Sequence, residues 1–116
     1  MSRVLVVDDD EAVRVVAEAI LRADGHEVAT AADGEKALGL LADQPAPSIV
    51  LLDLMMPHLS GWDVLEAMAH RPVLARVPVL VLTGFDELEG LPEHCHILHK
   101  PIDAELLRQR VRELET

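Results

Sequence analysis

The stretch "VLVVDDDEAVR" (residues 4–14) sets four aliphatic residues directly against four acids, Asp8, Asp9, Asp10 and Glu11. The aliphatic run does not alternate with polar residues. It therefore reads as a strand buried on both faces, as in a parallel sheet covered by helices. The acids stand where that strand leaves the core. Two unit charges about 4 Å apart repel by roughly 4 kcal/mol at an effective dielectric near ~20, so a cluster placed there needs a reason.

Residues 49–52 and 77–82 repeat the continuous aliphatic pattern, and 27–31 and 96–98 are shorter strand candidates. Helical patterns lie between them. Val13, Val16, Ala17, Ile20 and Leu21 share one face of a helix, with Gly25 as a stop just beyond. Asp33, Ser60 and Asp103 can each cap a further helix. Those helices carry Ala37, Leu38 and Leu41; Trp62, Leu65, Met68 and Ala69; and Leu106, Leu107, Val111 and Leu114, with Arg110 facing outward. Asp10 and Glu11 are expected in the first turn of the first helix, where its dipole favours acids. Strands alternating with helices imply right-handed βαβ units and an open, doubly wound α/β sheet.

The chain has 116 residues, half of them hydrophobic, and a formal net charge of −11. That suits one globular domain over 1–116 with an acidic surface. Ten basic residues among twenty-one acids do not form the cluster that a nucleic-acid backbone requires. A lone cysteine, Cys95, excludes an internal disulfide. No apolar run approaches the roughly 18 residues of a membrane span, and no secretory signal opens the chain. A cytoplasmic location without membrane insertion is expected.

In open parallel sheets, ligands sit beyond the carboxyl ends of the strands. The polar residues that end the aliphatic runs are Asp8, Asp9 and Asp10, then Asp53, then Thr83, then Lys100 just after His99. The fold would bring them to one edge. Carboxylates in one pocket call for a cation, and an oxygen-only donor set favours Mg²⁺. Such a site can take a phosphoryl group. A carboxylate attacks phosphorus, while a lysine and a hydroxyl hold the equatorial oxygens. Asp53, Lys100 and Thr83 fit those three tasks.

"VLVVDDDEAVR", "SIVLLDLMMPHLSGWDVL", "VPVLVLTG" and "HILHKPI", in this order and at these intervals, resemble the receiver domain of bacterial two-component response regulators. The resemblance covers essentially the whole chain. It implies a flavodoxin-like five-stranded parallel sheet of order 2-1-3-4-5. It makes Asp53 the phosphoacceptor and a metal contact, Asp9 a direct Mg²⁺ ligand, and Asp8 a ligand acting mainly through water. Met55 would lend a backbone carbonyl to the metal. Thr83 would be the switch hydroxyl, and Lys100, before a cis proline at Pro101, the phosphate-binding lysine. The implied partner is a histidine kinase or histidine phosphotransfer domain. The domain would be stand-alone or part of a hybrid kinase or regulator, catalysing only its own phosphorylation and dephosphorylation.

The chain departs from the family pattern in places. Ile97 stands where an aromatic residue usually precedes the lysine, Ser60 replaces a common acid, and Gly84 replaces a small alanine-like residue. Residues 84–99 number only sixteen, so the helix between the fourth and fifth strands should be short or missing. Dimerisation through that region is not expected; a monomer or weak dimer is. Two other functions compete. A haloacid-dehalogenase-like phosphatase would use Asp8 as nucleophile but leaves Asp53 without a task. An unphosphorylated interaction module would not need Asp9, Asp53, Thr83 and Lys100 together. His94, Cys95, His96 and His99 resemble a zinc cluster, but alternate residues of a strand face opposite ways, and a polar loop entering a strand is the preferred reading. Met55, Met56 and Pro57 are otherwise expected to pack as a loop, and Trp62 as a partly buried helix residue.

Overall fold

A computed structural model of the chain describes residues 2–84, 90–92 and 94–115. Its strands are β1 Arg3–Val7, β2 Glu27–Ala31, β3 Ile49–Asp53, β4 Val79–Thr83 and β5 Cys95–His99. Its helices are α1 Glu11–Ala23, α2 Gly34–Asp43, α3 Gly61–Ala69, α4 Pro72–Ala75 and α5 Ala104–Leu114. All strand pairings are parallel, in the order β2-β1-β3-β4-β5. Strand order reverses between β1 and β3, which opens a crevice at their carboxyl ends.

The unbroken aliphatic runs are explained by two cores, one on each face of the sheet. Leu5, Val7, Val50, Leu52, Val79 and Val81 form one with Leu41 of α2 and Val64 and Met68 of α3. Val4, Val6, Ile49, Leu51, Leu80 and Leu82 form the other with Leu21 of α1 and Leu107 and Val111 of α5. Successive side chains serve opposite layers, so no position in the central strands is left for a polar residue.

Helix starts follow side-chain chemistry. Asp33 and Asp103 accept from Lys36 N–H at 2.7 Å and Leu106 N–H at 3.0 Å. Ser60 and Asp63 form a reciprocal capping box at α3, which accounts for a serine at that position. Asp10 lies one residue before the first turn of α1 and caps it, accepting from Ala12 N–H at 2.9 Å. The third acid of the cluster thus has a structural task. Gly25, with φ of +90°, follows the α1 C-cap in a conformation that favours glycine.

Several strand boundaries differ from expectation by one or two residues; β1 starts at Arg3 and β3 runs on to Asp53. β4 begins at Val79, because Val77 is buried in the turn after α4 and Pro78 cannot donate to the ladder. β5 extends one residue at each end beyond 96–98. α4 was not anticipated. It is one turn, opened by Pro72 at its first position and anchored by buried Leu74. The short helix expected between β4 and β5 falls largely on residues 85–89 and 93, outside the described residues. The described part of that segment is not helical.

Gly61 begins α3 directly against the end of β3. Its amide donates to Leu54 O at 3.2 Å. A Cβ there would lie 2.4 Å from Asp53 O and 2.6 Å from Leu54 Cα. The clash is with backbone, so side-chain rotation cannot relieve it. Gly61→Ala is expected to cost about 1–3 kcal/mol in urea unfolding, the usual range for overpacking; an unchanged midpoint would contradict the close approach.

Candidate functional site

The β1–β3 register pairs Val7 with Leu52. The next residues, Asp8 and Asp53, therefore leave the sheet side by side. One carboxylate oxygen from each of Asp8, Asp9 and Asp53 lies within 4.8 Å of the others. Asp8 is 0% exposed, Asp53 5% and Thr83 4%, while Asp9 is exposed. Lys100 enters from the end of β5. Its Nζ stands 2.9 Å from Asp8 Oδ2 and 3.6 Å from Asp53 Oδ2. Its amide donates to Thr83 O at 2.7 Å, tying the ends of β4 and β5 together. The Lys100–Pro101 bond is cis. The sequence residues chosen from strand ends are thus neighbours in space.

Asp8 is held on several sides. Its amide donates to Ala31 O at 3.2 Å, and its Oδ1 accepts from Asp10 N–H at 2.9 Å. Its carbonyl accepts from Arg14 Nη1 at 2.8 Å. Oδ2 is buried and receives no well-directed hydrogen bond, although the Lys100 ammonium is close. The short ion pair supplies charge there but leaves a lone pair available. Asp53 Oδ1 accepts from Met55 N–H at 3.0 Å.

Burial pushes the Asp53 carboxyl up to about 6. The Met55 amide works against that rise, the Asp8 charge adds to it, and Lys100 opposes it. For Lys100, burial alone would lower the pKa. The Asp8 contact and the charges of Asp8 and Asp53 outweigh that effect and hold the ammonium above its ordinary value. Oxygen donors only, with one buried oxygen short of a directed partner, suit a hard divalent cation such as Mg²⁺.

Met55 and Met56 do not pack alike. Met56 joins the core, whereas Met55 is 63% exposed, so for Met55 the loop-packing expectation fails. Its local contribution is the amide on Asp53. Trp62 is 37% exposed, in keeping with partial helix packing. Among the described residues, the group able to hold a metal is the three aspartates; His94, Cys95, His96 and His99 form no such group. Sequence reasoning passed over Arg14 and Gly61. Arg14's signal was its place one turn beyond Asp10, on the helix that the acids begin. Gly61's signal was a helix former's absence at the first position after a good cap.

The chain matches the family described as response regulator receiver domain over residues 4–112, and it belongs to that family. It is 41% identical over 118 aligned residues to the response regulator PleD of Caulobacter vibrioides, covering 97% of this chain and 26% of that protein. It is 35% identical over 119 residues to the DNA-binding dual master transcriptional regulator RpaA of Synechocystis, covering 98% and 49%. The chain thus spans half or less of these curated relatives. Among solved structures, the receiver domain of the hybrid histidine kinase CckA superposes with a TM-score of 0.83 at 35% identity, covering 98% of this chain and 99% of that one. Chemotaxis response regulator CheY4 of Vibrio cholerae gives 0.88 at 28% identity, covering 98% of each.

The raised Asp53 value has a signed consequence. The folded chain holds this proton more tightly than the unfolded chain, so stability falls as pH rises from about 4 through about 6. Ionising Asp53 in the fold therefore costs on the order of 3 kcal/mol more than in the unfolded chain. In metal-free buffer, Asp53→Asn is expected to exceed wild type in urea-unfolding stability by up to about 3 kcal/mol at about pH 7.5. The difference should disappear near pH 4; a constant difference across that window would contradict the burial effect.

Proposed function

We propose that residues 1–116 form one receiver domain of a two-component or phosphorelay system, with Asp53 as phosphoacceptor. The observation that carries this reading is the grouping of Asp53 with Asp8 and Asp9 within 4.8 Å, facing the Lys100 ammonium. Family membership supports it. The donor is a phosphohistidine on a kinase or phosphotransfer domain. A carboxylate oxygen of Asp53 forms the new P–O bond as the P–N bond breaks, and the departing electron pair returns to the imidazole.

Asp9 and Asp53 would hold Mg²⁺ directly, Asp8 mainly through water, and Met55 through its carbonyl. The ion would neutralise charge on the phosphoryl oxygens. Lys100 is already aimed at Asp53 Oδ2 and would pair with a second phosphoryl oxygen. Thr83, at the end of β4, would donate its hydroxyl to a third. The Met55 amide orients the nucleophile through Oδ1. At neutral pH most Asp53 is ionised, as attack requires. Hydrolysis of the acyl phosphate would proceed in the same site, and no other substrate is turned over.

Asp8 is the less accessible of the two carboxylates: it is 0% exposed against 5% for Asp53, and its Oδ2 stands nearer the Lys100 ammonium, at 2.9 Å against 3.6 Å. This argues against the phosphatase alternative. Among the described residues, no helix is long and apolar enough to cross a membrane. We place the domain in the cytoplasm, as a monomer or weak dimer without direct nucleic-acid contact.

Acetyl phosphate with Mg²⁺ is expected to give one hydroxylamine-sensitive phosphate on Asp53 by mass spectrometry, and none in Asp53→Ala. Normal incorporation in that variant, or phosphate mapped to Asp8, would overturn the assignment. Lys100→Ala should bind Mg²⁺ at least as tightly as wild type, because a competing cation is gone. It should lose most of the spectral change that beryllofluoride produces in wild type; a full response would remove Lys100 from the phosphate site.

A further inference from the structure

Arg14 is the fourth residue of α1 and the basic group nearest the acidic turn on that helix. Its placement runs against the helix dipole, although the acids of the turn favour a cation nearby. A cation in a first helical turn faces the positive end of the dipole, and beside a metal site it competes with the metal. Among the described residues it forms no ion pair with the neighbouring acids. Its guanidinium instead donates to the Asp8 carbonyl at 2.8 Å.

That carbonyl belongs to the rigid peptide plane joining Asp8 to Asp9. Asp8 is fixed on its other sides by Ala31 O and Asp10 N–H. Asp9 is exposed, whereas Asp8 and Asp53 are buried and each accept a backbone hydrogen bond. The direction in which Asp9 leaves the turn depends on rotation of that plane. We propose that Arg14 is a positioning residue for the cation site: its hydrogen bond locks the Asp8–Asp9 peptide and aims Asp9 at the space shared with Asp8 and Asp53.

The inference rests on the Mg²⁺ reading above, and the sign of one substitution separates it from a charge effect. Arg14→Met keeps the length and apolar stem but removes both charge and donor. If Arg14 acted only as a nearby positive charge, this variant would bind Mg²⁺ more tightly. If it positions Asp9, binding weakens by about three- to tenfold, the scale of one lost hydrogen bond. Arg14→Lys, which keeps charge and a donor, should recover most of the loss. In an Asp9→Asn background, Arg14→Met should add little further loss.

Mg²⁺ affinity is read by calorimetric titration of the full chain. The amide resonances of Asp9 and Asp10 are followed in metal-free protein. These should move in Arg14→Met and return in Arg14→Lys. Should Arg14→Met fail to fold, Arg14→Gln takes its place, with the same expectation of weaker binding. Equal or tighter Mg²⁺ binding in the folded variant, with unmoved Asp9 and Asp10 resonances, would overturn the proposal. Absence of Mg²⁺ binding by wild type would instead overturn the reading of the site, and the metal-free spectra would still decide whether Arg14 orients Asp9.

Discussion

Asp8 and Asp53 are held side by side by the β1–β3 ladder, and two buried carboxylates so placed repel each other. Lys100 is the group that lets both remain. It reaches each from a strand two places away in the sheet from β3. The neutralisation is incomplete. Three carboxylates and one ammonium leave two negative charges when all are ionised, and burial has already pushed Asp53 up to about 6. The site is therefore under electrostatic tension without a ligand. A divalent cation of small radius would match both the residual charge and the donor type. Binding an ion or a phosphoryl group here would change the stability of the strand ends as well as their chemistry, because the same carboxylates serve both.

Much of this was legible in the sequence because parallel sheets buried on both faces leave a plain mark. Residues 4–7 and 49–52 have no polar position, and the two cores show why: alternate side chains serve different layers. Once the strands are known, their terminal polar residues are ordered at one edge, and Asp53, Thr83 and Lys100 follow. Asp33, Ser60 and Asp103 were readable as caps because a cap is a local bond between a side chain and a nearby amide.

What was not legible depended on contacts between distant backbones or on single long side chains. Gly61 reads as a weak helix residue until the carbonyl of Asp53 is found where its Cβ would be. Arg14 reads as a solvated helix residue until its guanidinium is found on the Asp8 carbonyl. Met55 and Met56 are adjacent and identical, yet one is core and the other is largely exposed. No local pattern separates them, since the turn after β3 decides which one faces inward. α4 is a single turn and too short for periodicity; Pro72 was its only sign.

Ile97 bears on how occupancy of this site would reach the rest of the domain. It is half-buried on β5, where relatives by resemblance carry an aromatic ring. A β-branched side chain is restricted at χ1 and sweeps a smaller volume than a ring. A different link is present. Lys100 N–H donates to Thr83 O at 2.7 Å, joining the end of β4 to the residue that follows β5. A displacement of Thr83 toward a bound phosphoryl group would pull on that bond. A displacement of Lys100 would pull on it from the other side. In this chain the two strand ends are thus mechanically coupled through backbone. Under the receiver reading, movement of either strand end would be felt at the other through this bond.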